Sequence, residues 1–198
     1  MGSIHLHRLK DEDVVRDIFW SHHDAVKLSN VCNLVFLLDS NYKINKYRLL
    51  LLNIIGVTPI EMTFSDAFAY LEGQHPNNVV WALEWFWGIF LRRVALPEVI
   101  VTDRDLALMN VVKTIFLKST NLLSLFHIDK NVKAECKNLV GKKKCIRLCH
   151  VSLVDCPFEQ EFDGCLMKFE IVCSPWLMFV DYVKQTWLIP YKERFIKA

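Results

Sequence analysis

Short apolar runs separated by polar turns restrict the architectures open to this chain. Three runs follow one another directly, and two more are separated from them and from each other by amphipathic segments. The runs occupy residues 34–38, 47–57, 62–70, 98–102 and 122–126. Runs of this length are typical of strands, whereas the apolar residues of 79–91 and 105–116 recur at helical spacing. Hairpin-linked strands followed by strand–helix alternation predict an α/β fold with a mixed sheet and helices on both faces.

The two ends of the chain are predicted to differ from this central region. Apolar residues at helical spacing predict a helix over 11–29, so residues 1–30 are expected to form a helical lead-in. The α/β core is expected over 31–135. Residues 136–198 are expected to form a helical segment that is incomplete at its C-terminal end.

Composition excludes several classes of protein. Hydrophobic residues make up 53% of the 198 residues, with only six Gly and six Pro, which excludes a disordered or low-complexity chain. The seven cysteines include no C-x-x-C pair, which favours a reduced intracellular compartment over a disulfide scaffold. The uncharged stretch at 49–60 is too short to span a bilayer, so no membrane association is predicted.

Charge is concentrated in one stretch of the chain. The formal net charge is only +2, yet residues 130–147 contain seven basic residues and one acid. The basic residues are Lys130, Lys133, Lys137, Lys142, Lys143, Lys144 and Arg147. This segregation predicts contact between the stretch and a polyanion.

Two aspartates each terminate a predicted strand. Asp39 follows Leu-Val-Phe-Leu-Leu, and Asp103 follows Val-Ile-Val-Thr. Carboxylates at the ends of neighbouring strands can converge at one edge of a sheet, and hard cations such as Mg²⁺ prefer oxygen ligands. The alternative is that each Asp caps a turn or the following helix. The pair in this strand order favours a site.

Several separated segments resemble plant Mutator-like element (MULE) transposases. Residues 38–47, Leu-Asp-Ser-Asn-Tyr-Lys-Ile-Asn-Lys-Tyr, are similar to the first motif of that family, and residues 101–110, Val-Thr-Asp-Arg-Asp-Leu-Ala-Leu-Met-Asn, are similar to the second. The segments Phe-His-Ile-Asp-Lys-Asn-Val at 126–132, Glu-Gln-Glu-Phe at 159–162 and Lys-Glu-Arg-Phe at 192–195 resemble later parts of the family. The similarity begins near Asp17 and covers nearly the whole chain.

The resemblance implies an RNase H-like fold with an Asp-Asp-Glu site that holds Mg²⁺ or Mn²⁺. Asp39 and Asp103 match the first two acids. The third falls at Glu161 or Glu159, and Glu161 is favoured because on a helix it shares a side with the apolar residues that follow. Two such ions would activate a water or 3′-hydroxyl and stabilise the leaving oxygen of a phosphodiester. The expected activity is that of a DDE-type transposase, which cleaves DNA and transfers strands.

The same resemblance implies DNA as the partner, a nuclear location and a homodimer, with no small-molecule cofactor. Basic residues near the acids are expected to hold the DNA backbone without reading its sequence. The expected DNA-contacting residues are Lys43, Lys46, Arg48, Arg104, Lys130 and Lys133.

Departures from the family pattern predict a degenerate catalytic domain. Ser124 stands where the family usually carries a Cys three residues before the histidine that matches His127. Zinc at Cys136, Cys145, Cys149 and His150 is disfavoured because tight ligand pairs are absent. The zinc-binding flanking regions of full-length relatives are not expected in this chain. Two alternatives stay open: a non-catalytic, DNA-associated regulator, as in the FAR-RED IMPAIRED RESPONSE family of plant transcription factors, and an inert structural remnant.

Overall fold

The computed structural model describes residues 3–11, 13–41, 45–73, 75–90, 97–141 and 162–191. The chain divides into two compact units, Met1–Leu122 and Leu123–Ala198, which are described separately. The first contains nearly all of the sheet and, among its described residues, three helices. The second is helical in the part that the structure describes.

A seven-stranded mixed sheet organises the first unit. Its strands are β1 (Ser3–Asp11), β2 (Val14–His22), β3 (Val35–Asn41), β4 (Leu50–Val57), β5 (Thr63–Leu71), β6 (Val99–Thr102) and β7 (Thr120–Leu123). Their order across the sheet is β1-β2-β5-β4-β3-β6-β7. The pairs from β1 to β3 are antiparallel, whereas β3 and β6 are parallel. The α/β class and the mixed sheet predicted from the sequence are confirmed.

The helices of the described residues are α1 (His23–Val31), α2 (Pro76–Gly88), α3 (Leu106–Ile115), α4 (Leu125–Leu139), α5 (Phe162–Cys173) and α6 (Leu177–Val183). α6 continues through a π-helical turn, Lys184–Leu188, into Ile189–Tyr191. After β5, strands and helices alternate as the sequence predicted. The strand predicted over 122–126 is shifted, because β7 ends at Leu123 and α4 starts at Leu125. Within the described ranges, no helix is long and apolar enough to cross a membrane.

The N-terminal region differs from its prediction. The spacing of apolar residues predicted a helix over 11–29 and a helical lead-in over 1–30. Strands β1 and β2 occupy most of this region instead, and α1 begins only at His23. The physical reason is that β2 lies between β1 and β5, so its backbone is paired on both sides while Phe19 and Ser21 are fully buried. The prediction was wrong because local spacing carries no information about these distant partners.

The core of the first unit lies on one face of the sheet. Residues of β4 alternate between buried and half-buried, as expected for a strand covered more tightly on one side. Phe36 of β3 packs edge-to-face with Phe86 of α2 and with Phe90, at centroid distances of 5.1 and 5.7 Å. Residues from α3 belong to the same core, and Val26 of α1 packs against it. A helical layer on the second face, which the sequence also predicted, stays a prediction.

A β-bulge in β5 changes which side chains face the core. Ile54 pairs with Ala67, but Ile55 pairs with Ser65, so Asp66 is the extra residue. The bulge moves Phe64 to the side of Gly56, its partner in β4, where a Cβ on the glycine would overlap the Phe64 ring. Strict alternation along the apolar run at 62–70 predicts that Met62, Phe64, Phe68 and Tyr70 share one face. That prediction was wrong, because the extra residue reverses the alternation.

The bulge also buries a carboxyl group. Asp66 is 1% exposed, and its backbone carbonyl accepts a hydrogen bond from the Ser21 hydroxyl at 2.7 Å. Neither carboxyl oxygen has a hydrogen-bond partner among the described residues. Burial raises the pKa of Asp66 to about 6, and the nearby Ser29 of α1 opposes this shift with a smaller effect.

The second unit has its own helical packing. α6 packs against α4 and α5, and Phe169 of α5 lies 5.9 Å from Phe179 of α6 between ring centroids. Lys184 forms an ion pair with Glu170 at 2.6 Å. Burial raises the pKa of the Cys173 thiol to about 11, so it is an unreactive core residue.

Candidate functional site

Two acidic residues lie at the same end of two adjacent parallel strands. Asp39 is in β3, and Asp103 directly follows β6. Leu38 pairs with Thr102 in the parallel register, so the next position on each strand is the aspartate. The prediction that the two acids lie at the same end of neighbouring strands is confirmed. The prediction that Asp39 terminates its strand is wrong, because β3 stays paired with β4 for two more residues, to Asn41. Their catalytic and metal-binding roles stay predictions.

Side chains of β3 hold both carboxylates. Asn41 Nδ2 donates to Asp39 Oδ2 at 2.7 Å, and the Ser40 hydroxyl donates to Asp103 Oδ2 at 3.1 Å. The Ser40 bond connects the ends of β3 and β6 directly. Both aspartates are half-buried, so each residue is partly covered by the protein and partly in contact with solvent.

A third side chain with an oxygen atom, Asn53, faces the same side of the sheet as Asp39. Asn53 of β4 lies directly opposite Asp39 in the antiparallel register, so their side chains share a face. Its Oδ1 atom is shielded from solvent and accepts no hydrogen bond from the described residues. A buried carbonyl in this state is usually satisfied by water or an ion. Sequence reasoning missed Asn53, although it is the only side chain with a conventional hydrogen-bonding group between positions 49 and 57.

The neighbouring Asp105 has a different role from Asp103. Its Oδ1 accepts hydrogen bonds from the backbone N–H groups of Ala107 at 2.9 Å and Leu108 at 3.2 Å, so it is the N-cap of α3. The capping alternative considered for Asp103 is therefore fulfilled by Asp105. Asp103 is left at the strand end with its side chain directed to Ser40.

The side chains at this edge of the sheet offer oxygen atoms, which are the type of ligand that a hard cation binds. The carboxylates of Asp39 and Asp103 and the amide of Asn53 offer oxygen ligands, which Mg²⁺ and Mn²⁺ prefer. Among the described residues, no three His, Cys, Asp or Glu side chains are grouped so that they could hold one metal ion. Glu161 and its alternative Glu159 lie outside the described residues, and α5 begins directly after them at Phe162.

Three of the predicted DNA-contacting residues lie at the same edge of the sheet. Lys46 and Arg48 are exposed in the turn that joins β3 to β4, and Arg104 is exposed directly after Asp103. Asn45 organises the turn by accepting from the N–H groups of Tyr47 and Leu49, both at 3.1 Å. Arg48 has a φ of 56°, in the left-handed region. Lys43 lies outside the described residues.

The remaining predicted DNA contacts are on α4 in the second unit. Lys130 is exposed, whereas Lys133 forms an ion pair with Asp129 at 2.6 Å, which offsets part of its charge. Lys137 lies in the last turn of α4. The other four basic residues of the 130–147 stretch fall outside the described residues, so the predicted polyanion contact depends on positions that the structure describes only in part.

Ser124 and His127 are joined at the start of α4. His127 Nδ1 lies 3.0 Å from the Ser124 hydroxyl, within hydrogen-bonding distance. The serine that replaces the family's cysteine thus keeps a polar contact with the histidine. Cys136 is buried farther along the helix, and the other members of the disfavoured zinc set, Cys145, Cys149 and His150, lie outside the described residues.

These observations define an α/β protein whose mixed sheet carries paired acids at the end of two parallel strands. Residues 35–131 match the model of the MULE transposase domain, which begins at the first residue of β3 and includes Asp39, Asp103 and His127. Residues 35–131, about half of the chain, therefore form a MULE transposase domain. The resemblance that the sequence motifs indicated is therefore confirmed.

Two relatives from Arabidopsis thaliana support the same assignment. The chain is 24% identical over 193 residues to Protein FAR1-RELATED SEQUENCE 6. The aligned region covers 94% of this chain and 27% of the relative. The chain is 22% identical over 180 residues to Putative protein FAR1-RELATED SEQUENCE 10, covering 88% of this chain and 26% of the relative. The chain thus spans about a quarter of the length of each relative.

Proposed function

We propose that this chain is a transposase-derived, DNA-associated domain in which Asp39 and Asp103 hold a divalent cation. The observation that carries the proposal is the parallel register of β3 and β6, which brings both acids to one end of adjacent strands. The match to the MULE transposase domain supports the same assignment, because the matched segment contains both acids. DNA, a nuclear location and a homodimer belong to this proposal.

As part of this proposal, we assign the sheet and helices of the first unit to the RNase H-like fold. The order β5-β4-β3-β6-β7, with three antiparallel strands followed by strand–helix alternation, supports it. In this assignment the hairpin of β1 and β2 extends the sheet beyond β5.

In the proposed site, the side chains of this chain position the cation and a DNA phosphate. Asp39 and Asp103 would supply the carboxylate ligands, with Asn53 as a neutral oxygen donor on the neighbouring strand. Asn41 orients one oxygen of the Asp39 carboxylate, and Ser40 orients one oxygen of the Asp103 carboxylate. A bound divalent cation would polarise the phosphodiester and activate the attacking water or hydroxyl. Glu161 is the proposed third acid.

The proposal includes DNA binding without cleavage by this chain. Exposed Lys46, Arg48 and Arg104 beside the acids provide charge for backbone contacts. Cleavage requires more than charge, because a positioning error near 1 Å can reduce the rate about a hundredfold. The substitution of Ser124 for the family's cysteine favours such a loss. The second candidate is the alternative that the sequence left open, a non-catalytic regulatory role on DNA, and the similarity to two FAR1-related proteins is consistent with it.

Metal binding tests the acid pair directly. Titration of the full chain with Mg²⁺ or Mn²⁺ should raise the melting temperature, because a ligand that binds only the folded state stabilises it. At a metal concentration about a hundredfold above Kd, the gain is about 3 kcal/mol. That gain corresponds to a melting-temperature rise of roughly 5–10 °C. Asp39→Asn and Asp103→Asn should each abolish the rise.

Asp105→Asn is the matched control for the metal experiment. It removes the same charge two residues from Asp103, and Asn is an equally good N-cap, so α3 should keep its cap. The rise in melting temperature should therefore persist in this variant. An unchanged melting temperature in the parent at saturating metal, or an equal loss in the control, would contradict the assignment of the site.

Salt dependence tests the DNA contacts. Binding of the chain to duplex DNA should weaken steeply with salt, and Lys46→Gln combined with Arg48→Gln should reduce the slope by about 1.8, since each phosphate contact contributes about 0.9. Lys27→Gln combined with Lys113→Gln removes the same charge from exposed positions in α1 and α3 and should leave the slope unchanged. Metal-dependent DNA cleavage that disappears in Asp103→Asn would overturn the non-cleaving part of the proposal.

A further inference from the structure

A cleft at the opposite part of the sheet carries two arginines. Its volume is about 480 Å³, and its lining includes Arg8 of β1, Arg16 of β2 and His75 before α2. β2 is separated from β3 by β5 and β4, so three strand spacings, or about 14 Å, lie between this region and the strand that carries Asp39. The cleft is therefore separate from the acid pair.

A fully buried carboxylate fixes the two guanidinium groups. Asp17 is 0% exposed, and its Oδ2 accepts from Arg8 Nε at 2.9 Å, Arg8 Nη2 at 2.6 Å and Arg16 Nε at 2.8 Å. Its Oδ1 accepts from the Glu72 N–H at 2.9 Å. Both arginines thus have defined positions at the wall of the cleft, and ordering them for a ligand costs less entropy than ordering free side chains.

Arg8 is held by two further contacts. Its Nη2 also donates to Asn78 Oδ1 at 2.9 Å, and its guanidinium lies 4.7 Å from the ring centroid of Trp81. Among the described residues, Arg16 in contrast forms a hydrogen bond only through Nε, so its two terminal nitrogens have no described partner. The side chain of Arg16 is 30% exposed, which leaves these nitrogens accessible from solvent.

Two guanidinium groups at the cleft share one carboxylate. Arg8 and Arg16 share the single carboxylate of Asp17, and Glu72, which also lines the cleft, forms an ion pair with Lys10 at 2.7 Å. Among these described groups, the two guanidinium charges therefore share the one carboxylate of Asp17, because Glu72 is paired with Lys10. Guanidinium groups form paired hydrogen bonds with tetrahedral oxyanions, and such bonds are stronger than those between neutral groups.

We propose that this cleft binds a phosphate group through Arg16 and Arg8. The volume exceeds that of a phosphate ion, so the natural ligand carries the group on a larger molecule, either a small phosphomonoester or the phosphodiester backbone of a nucleic acid. His75 and Asn77 line the same cleft and offer further hydrogen-bonding groups. This inference goes beyond the proposed function, because it uses neither the acid pair nor a divalent cation.

Inorganic phosphate is the probe for the test. Titration of the full chain at constant ionic strength, followed by calorimetry and by the NMR signals of the arginine Nε–H groups, should show saturable binding in the millimolar range. Arg16→Gln should weaken this binding about tenfold, the loss expected for one charge-assisted contact. Arg16→Lys, which keeps the charge but loses the planar fork, should give a smaller loss.

Lys27→Gln is the matched control, since it removes one exposed charge from the same unit outside the cleft lining. It should leave phosphate affinity unchanged. Equal weakening in Arg16→Gln and Lys27→Gln, or no saturation by phosphate in the parent, would overturn the proposal. A short DNA duplex then distinguishes the two possible ligands. If the duplex displaces phosphate from the parent but not from Arg16→Gln, the ligand is the nucleic-acid backbone. If the duplex does not displace phosphate from the parent, the ligand is a small phosphomonoester.

Discussion

The buried carboxyl of Asp66 makes the stability of the first unit dependent on pH. Its pKa is raised from 3.8 to about 6 by burial at the bulge of β5. Between these two pH values the folded state binds a proton that the unfolded state has released, so stability falls as pH rises. A difference of about two pH units corresponds to about 3 kcal/mol of unfolding free energy, which is lost by pH 7.

Asp66→Asn should remove this dependence, because the amide does not titrate. The free energy of unfolding would be measured by urea denaturation of parent and variant at several pH values from 4 to 7. The difference between them, variant minus parent, should increase by about 2.5 kcal/mol over that range. Any constant cost of burying the amide cancels in this comparison, as do the titrations of all other groups.

Asp24→Asn is the control for an exposed carboxylate in the same unit. A hydrogen bond and the charge of Lys27 lower the pKa of Asp24, so its stabilising effect is lost as pH falls, which is the opposite sign. A difference between Asp66→Asn and parent that stays constant from pH 4 to 7 would refute the reasoning. It would mean that the carboxyl is solvated in the folded protein.

Two further substitutions test the packing and the ion pairs of the sheet. Gly56→Ala should cost about 1–3 kcal/mol in a urea titration, because the new methyl group overlaps the Phe64 ring, and most of the cost should disappear in a Phe64→Ala background. An equal cost in both backgrounds would exclude that clash as the cause. Asp17→Asn should lower the unfolding free energy by about 3 kcal/mol, since it leaves Arg8 and Arg16 without their shared carboxylate. A midpoint shift within error of zero would show that solvent replaces these bonds.

The central strands and the acid pair could be predicted because their signals are local. Each apolar run has the length and composition of a strand, and each of the two aspartates directly follows such a run in the sequence. The order of runs and amphipathic segments also limits the topologies that connect them. Asp105 was distinguishable from Asp103 only in the structure, where its hydrogen bonds to Ala107 and Leu108 identify it as a cap.

The features that sequence reasoning missed depend on partners far along the chain. Asn53 faces Asp39 because of the register between β3 and β4, and Arg8 meets Asp17 because β1 pairs with β2. A bulge of one residue at Asp66 reversed the predicted face of a strand. Periodicity by itself determined where strands and helices occur in the central region. Tertiary pairing alone decided which side chains meet, because register and bulges are set by contacts between residues that the sequence holds apart.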